Sequence, residues 1–333
     1  MIRTRRSDPA APGIARVRRG RGFSYHAPGG KLLADAGAVE RIRALAIPPA
    51  WTDVWICQDE RGHIQAVGTD AAGRRQYLYH EAWRARRDRA KFERLPEFAA
   101  TLPTARRALA ADLKLRGLVR ERVMAAAIRL LDIGLFRVGG ESYEEENETF
   151  GLATLRKHHV HVRSGAIVFD YVAKGGLERS HGIEDQMVLP TVLALKRRPG
   201  SADDPLLAYR QRDGWNDVSS SEVNQWLKDL LGEEFSAKEF RTWNATVLAA
   251  TRLAQHADED PKSAIAQAIE DVAAALGNTP AVCRTSYIDP RVIKRFEQGK
   301  TIADDLRRIS RGKGGGGVAA RERLEGAVVE LIR

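Results

Sequence analysis

Cysteine is nearly absent from this chain: Cys57 and Cys283 are the only two among 333 residues. That excludes a disulfide framework and a cysteine-rich zinc site, and it suits a reducing, cytoplasmic compartment. No run of 18 or more apolar residues occurs, so no transmembrane helix is expected. The opening stretch, MIRTRRSDPAAPGIARVRRGRGF, is basic but lacks an apolar core segment, which argues against a secretory signal. No G-x-x-x-x-G-K-[ST] is present, so hydrolysis of ATP in a P-loop is not indicated, and no G-x-G-x-x-G follows a strand. Acid is also short: 44 Asp and Glu face 54 Lys and Arg, a net charge of +10. Such a field attracts phosphate-rich partners.

What is present is otherwise ordinary for a globular chain, with 43% hydrophobic and 29% charged residues. The length suits two domains or one large one. Residues 1–22 hold seven arginines and a single acid, Asp8, and are expected to be a disordered basic arm. They read either as a phosphate-tracking segment or as a solvated tail.

Residues 23–85 are expected to form a small domain with strands at Val54–Ile56, Ile64–Val67 and Gln76–Tyr79, and a helix at Ala36–Leu45 stopped by Pro48 and Pro49. Residues 86–310 read as a mostly helical domain. Residues 84–91, RARRDRAK, are a cationic helix or linker, and one helix is expected from Ala105 to Leu135. A small antiparallel sheet is expected near 159–184, from His159–Val162, Ala166–Val172 and Glu178–Ile183, with Lys174 at a hairpin tip. Ser219 and Glu222 form a capping box, and Lys238–Ala257 and Pro261–Leu276 are further helices, the latter stopped by Gly277. Residues 311–333 are a Gly-rich linker, Gly312–Gly317, and a terminal helix. The fold class is therefore α+β.

Two clusters suggest metal and are read otherwise. His158, His159 and His161 lack a nearby Cys or carboxylate to complete a site, so structural or surface roles are favoured. The acidic run Glu141–Glu148 suits a helix start, where carboxylates complement the dipole. No metal and no cofactor are expected.

Taken singly, Arg137, Lys174, Arg241 and Tyr287 read as surface charges and a packed tyrosine. Their flanking sequences change that. Phe136-Arg137-Val138-Gly139, Tyr143, Glu146–Leu152 (ENETFGL), Ile167–Lys174 (IVFDYVAK), Lys238–Thr242 (KEFRT), Gly277-Asn278-Thr279-Pro280 and Ser286-Tyr287-Ile288 occur in order. Together they resemble the type IB DNA topoisomerases of poxviruses and bacteria. IPPAWTDVWIC (47–57) and GHIQAVGTDAAGRRQYLYH (62–80) also resemble that family, most closely its bacterial members. The resemblance runs from about Gly22 to about Lys300.

The resemblance implies the fold shared by topoisomerases IB and tyrosine recombinases, and the relaxation of supercoiled DNA without ATP through a 3′-phosphotyrosyl intermediate. It implies that Arg137 and Arg241 are the family's two arginines, Lys174 its hairpin lysine and Tyr287 its nucleophile. Asn278 stands where poxvirus members carry a histidine that donates to phosphate, and its NH₂ is also a donor.

The residue types fit the chemistry. A phenol with a pKa of about 10 attacks better than a sugar hydroxyl. Guanidiniums offer bidentate donors to the nonbridging oxygens. A lysine can protonate the departing 5′ oxygen as a general acid.

The two domains, joined near residues 81–95, are expected to close as a clamp on duplex DNA. Arg84, Arg86 and Arg87 would contact phosphates, and Tyr77, Tyr79 and Tyr143 match family positions that contact DNA near the cleavage site. The enzyme is expected to work as a cytoplasmic, nucleoid-associated monomer. Two rival readings are a tyrosine recombinase and a nonenzymatic architectural DNA-binding protein. Recombinases usually show H-x-x-R at the second arginine, where this chain has Lys238 three residues before Arg241. An architectural protein would explain the charge but not the ordered blocks.

Overall fold

The computed structural model describes residues 3–140, 149–311 and 317–333. Tyr143, the acidic run 141–148 and the glycines of 312–316 lie outside the described residues. The chain divides into two compact units, one ending at Glu93 and the other beginning at Arg94.

The first unit is a five-stranded antiparallel sheet built from β1 (Ile14–Arg19), β2 (Gly22–His26), β3 (Thr52–Ile56), β4 (Ile64–Thr69) and β5 (Arg75–Tyr79), in the order β2-β1-β3-β4-β5. Helix α1 (Ala36–Ala44) starts at Asp35, whose carboxylate accepts from the Gly37 and Ala38 amides. Its Ile42 joins Ile14, Val54, Ile56 and Ala66 in the core. Helix α2 (Glu81–Glu93) follows β5 directly.

From residue 3 onward the basic arm is tied to the sheet rather than disordered. Residues 14–19 are strand β1, paired with β2 on one side and β3 on the other. Upstream, Arg5 exchanges backbone hydrogen bonds of 2.8 Å with Arg61 and His63, and the Trp55 indole donates to Ala11 O at 2.9 Å. Composition misleads here because the arm borrows a core that others build. Ile14 is buried, and Arg16 stacks on Phe23 while donating to the carbonyls of Ile47, Pro48 and Trp51. A guanidinium so satisfied sits in a sheet at little cost.

The second unit is mainly helical. Helices α3 (Leu95–Asp112) and α4 (Arg120–Gly134) replace the single helix expected from Ala105 to Leu135. The break falls at 113–119, where Gly117 takes a left-handed φ of 75°. A three-stranded antiparallel sheet follows, β6 (Val160–Arg163), β7 (Ala166–Ala173) and β8 (Leu177–Ile183), then α5 (Leu189–Arg197) and the hairpin β9 (Ala208–Gln211) and β10 (Gly214–Asp217). The remaining helices are α6 (Ser220–Leu231), α7 (Ala237–Gln255), α8 (Pro261–Leu276), α9 (Pro280–Ser286), α10 (Pro290–Glu297), α11 (Ala303–Arg311) and α12 (Val318–Ile332). The Ser219–Glu222 capping box opens α6, with Ser219 Oγ accepting from the Glu222 amide at 3.1 Å.

Helix α4 is buried continuously from Val123 to Asp132, as expected of a helix apolar nearly all round. Its two buried charges are paired. Asp132 receives Arg106, Arg129 and Arg321, while Arg106 also grips Glu325 at 2.6 and 2.7 Å. Arg321 and Glu325 belong to α12, so the terminal helix is built into this unit by its charges. A buried pair tolerates desolvation only when its hydrogen bonds are complete, as they are here.

His159 sits in a short turn, buried, and accepts from the Arg156 amide at 3.0 Å. Burial, with His158 and Arg156 nearby, pushes its imidazole down to about 4. His158 and His161 lie near Asp203 and Asp170. Among the described residues no group of three or more His, Cys, Asp or Glu is arranged to hold a metal, and no helix is long and apolar enough to cross a membrane.

Candidate active site

Arg137, Lys174, Arg241 and Tyr287 line one cleft of the second unit, together with Lys228 and Lys238. Each reaches it from a different element.

Arg241 lies in the second turn of α7. Ser236 and Glu239 close a capping box at the start of that helix, with the Ser236 amide donating to Glu239 Oε2 at 2.8 Å. The Arg241 side chain is 4% exposed. Its guanidinium donates to Leu135 O and, at 3.0 Å, to Leu276 O. These carbonyls end α4 and α8, where the helix dipoles are negative, so a buried cation is compensated. Burial and the neighbouring Arg137 still push Arg241 down to about 10, which leaves it charged at neutral pH.

Arg137 follows α4 by three residues, after Leu135 turns left-handed at φ 55°. Its loop is fixed by two glycines. A Cβ on Gly151 would lie 2.4 Å from Gly139 Cα, and one on Gly139 would lie 2.9 Å from Gly151 Cα. The backbones therefore touch, and Arg137 O and Val138 O accept from Leu152 and Ala153 at 2.9 and 2.7 Å. The blocks FRVG and FGL, separated in sequence, run side by side.

Asn278 and Tyr287 bracket α9. Gly277 ends α8 in a left-handed conformation, and Thr279 caps α9. Asn278 Oδ1 accepts from Arg137 Nη2 at 2.5 Å, which commits the oxygen and leaves the NH₂ as donor. Among the described residues, Asn278 Nδ2 and Arg241 Nε are buried with no hydrogen-bond partner. Unpaired buried donors are costly, and here two lie beside the same tyrosine.

Tyr287 follows the last turn of α9. Arg241 Cζ lies 5.3 Å from its ring centroid. Burial pushes the phenol up, but Arg241, Arg137 and the Asn278 amide lie close enough to outweigh it, so the phenol titrates below its ordinary value. The Tyr287 backbone is tied to α7 through the fully buried Thr246, whose hydroxyl lies 3.3 Å from Tyr287 O and accepts from the Asp289 amide at 3.1 Å.

Lys174 occupies the turn between β7 and β8, with Gly175 and Gly176 left-handed behind it. It is exposed. The Phe150 amide donates to Val172 O at 2.8 Å, so the loop that fixes Arg137 also touches the strand that carries Lys174.

In the first unit, Tyr77 and Tyr79 stack on each other and Tyr79 stacks on Trp83 with centroids 4.5 Å apart. Arg75 and Arg87 lie over the outer rings of this stack. Arg84, Arg86 and Arg87 are exposed on α2. Tyr143 is outside the described residues.

Sequence reasoning missed Trp83, Thr246, the Gly139–Gly151 contact and Arg179, which donates to Ala274 O and Ala275 O at the end of α8. Only the glycines had a visible signal, since both fall within the quoted blocks.

The family model for the eukaryotic DNA topoisomerase I catalytic core matches residues 80–311, and that for the bacterial DNA topoisomerase IB N-terminal domain matches residues 22–70. DNA topoisomerase 1B of Acanthamoeba polyphaga mimivirus is 30% identical over 288 residues, covering 83% of this chain and 85% of the viral protein. DNA topoisomerase 1B of Vaccinia virus (strain Copenhagen) is 24% identical over 272 residues, covering 78% and 82%. DNA topoisomerase 1 of Schizosaccharomyces pombe is 29% identical over 168 residues, which is 50% of this chain and 19% of the yeast protein.

Proposed function

Because this chain belongs to the type IB DNA topoisomerases, we propose that it relaxes supercoiled duplex DNA by cutting one strand, letting it rotate and resealing it. Tyr287 attacks the scissile phosphorus as the phenolate, its proton having passed to solvent. The P–Oη bond forms as the P–O5′ bond breaks, leaving a 3′-phosphotyrosine and a free 5′ hydroxyl. Arg137 and Arg241 bind the nonbridging oxygens, where charge accumulates. Asn278 Nδ2 donates a further hydrogen bond. Lys174 gives its proton to the departing 5′ oxygen. The phosphodiester energy is kept in the new bond, so resealing needs no ATP. The reverse attack by the 5′ hydroxyl uses the same groups, with Lys174 taking the proton back.

The observation that carries this reading is the convergence of four cation and phenol side chains from four elements on one cleft, with two buried donors beside the phenol that lack a partner among the described residues. The lowered phenol supports Tyr287 as the nucleophile. The stack Tyr77–Tyr79–Trp83, exposed at Tyr77, and the exposed arginines of α2 supply contacts to the same substrate. The protein acts as a monomer, since one chain holds the whole constellation.

The test is relaxation of supercoiled plasmids without ATP and in EDTA. Both positive and negative supercoils should relax, because rotation about a nick has no handed drive. Loss of activity in EDTA, or action on one sign only, would overturn the reading. Requirement for a specific pair of sites would point to recombination instead.

A further inference from the structure

We infer that the β1–β2 hairpin is a second DNA contact, in which Arg19 and Arg21 bind backbone phosphates of the same duplex that Tyr77 and Tyr79 touch. This rests on the functional reading above. The matched N-terminal family segment begins at residue 22, so the resemblance assigns these arginines nothing.

Tyr77 pairs with Val67, Val67 with Trp55, and Trp55 with Ala15. Directly paired residues share a face, and residues two apart along a strand share it too. Tyr77, Tyr79, Trp55, Ala15, Val17 and Arg19 therefore project from one face of the sheet. Arg16 and Arg18 project from the opposite face, consistent with Arg16 stacking on Phe23, the cross-strand partner of Arg18. Three strand spacings separate β5 from β1, about 14 Å. That is comparable to the roughly 12 Å width of a major groove, so one duplex can reach both ends of the face.

Charge and exposure agree. Arg19 and Arg21 are exposed, Val17 beside them is 43% exposed, and neither arginine has a side-chain partner among the described residues. No acid occurs between Asp8 and Asp35, so nothing local neutralises them. The hairpin is also held firmly. Arg19 pairs with Gly22 across a two-residue turn, Gly20 takes the left-handed φ of 55° that such a turn requires, and Trp55 under the arm is pinned by Ala11 O. Two cations on a rigid hairpin lose less entropy on binding phosphate than two on a loose tail.

The experiment measures noncovalent binding of duplex DNA to the full chain carrying Tyr287→Phe, by fluorescence anisotropy across a salt series. Arg19→Gln with Arg21→Gln should lower the slope of log affinity against log salt by about 1.8, at 0.9 per phosphate contact. Between about 50 and 200 mM salt the affinity should then fall about tenfold less than in the parent. Arg19→Lys with Arg21→Lys should keep most of the slope, which separates lost charge from misfolding. Arg18→Gln, on the other face, should leave the slope at the parent value. An unchanged slope in the double Gln variant, or an equal change in Arg18→Gln, overturns the contact. Plasmid relaxation by the wild-type chain is measured alongside. Relaxation with an unchanged slope removes the hairpin contact alone, whereas a changed slope without relaxation removes the catalytic reading alone.

Discussion

Arg241 and Lys174 line the same cleft, yet the molecule presents them in opposite ways. Arg241 is 4% exposed and spends two of its nitrogens on the terminal carbonyls of α4 and α8. Lys174 stands on an exposed turn, followed by two left-handed glycines. The difference follows from the tasks proposed for them. Stabilising charge on nonbridging oxygens requires dipoles already in place, because reorganisation would consume the gain. Delivering a proton to a leaving oxygen requires reach and the ability to release the proton. A lysine on a flexible stem does both, whereas the Arg241 guanidinium is held in place by its two carbonyls.

The largest effect is expected at the nucleophile. Tyr287→Phe should abolish the covalent DNA adduct, read by denaturing gel, while noncovalent affinity stays close to the parent, since one oxygen and no charge is lost. An adduct formed by this variant would move the nucleophile elsewhere.

Next comes the proton donor. Lys174→Ala should slow single-turnover cleavage about 10²–10⁴-fold. A substrate with sulfur in place of the bridging 5′ oxygen should restore most of that rate, because a thiolate leaves without a proton. Failure of sulfur to rescue would make Lys174 a phosphate clamp and so erase the contrast with Arg241.

The buried arginine is the counterpart. Arg241→Ala should cost about 10²–10³-fold in cleavage, the range for one lost oxyanion donor, and sulfur should rescue it far less. Arg241→Lys should recover little, since an ammonium cannot hold two carbonyls and face phosphate in one plane. Full rescue by lysine would show that position alone matters.

The smallest effect is on pH. Attack by the phenolate makes cleavage rise with pH until the phenol ionises. Nearby cations hold Tyr287 below its usual value, so the rise should level off below about pH 10. Arg137→Gln removes one of those cations and should move the inflection upward. A downward or absent shift would remove Arg137 from the electrostatics of the nucleophile.

The two units also differ in how far they were legible. In the second unit the helices at 237–255 and 261–276 carry their own stop and start signals, Ser236, Pro261 and Gly277, and these act locally. Lys174 on a hairpin turn was legible for the same reason, from alternating strands and a Gly-Gly turn. In the first unit the arginine-rich segment 14–19 has a disordered composition and becomes a strand only because β3 offers an edge and Ile47, Pro48 and Trp51 offer carbonyls. Those partners lie more than thirty residues away, beyond any local pattern.

Residue order is enough to say which chemistry the chain carries: a phenol, two guanidiniums, an amide and a lysine, each inside a block of residues whose order and spacing identify the family. Residue type and short-range order are enough for that, since turn, cap and strand preferences act over a few positions. Their electrostatics come from the packing of distant elements. Arg241 lies on two helix ends because α4 and α8 stop beside it, Asn278 turns its NH₂ toward Tyr287 because Arg137 claims its oxygen, and Arg137 is placed by a glycine pair twelve residues apart in sequence. Each of these depends on groups distant in the chain meeting at van der Waals or hydrogen-bond range, where burial strengthens charge and leaves no solvent to substitute for a missing partner.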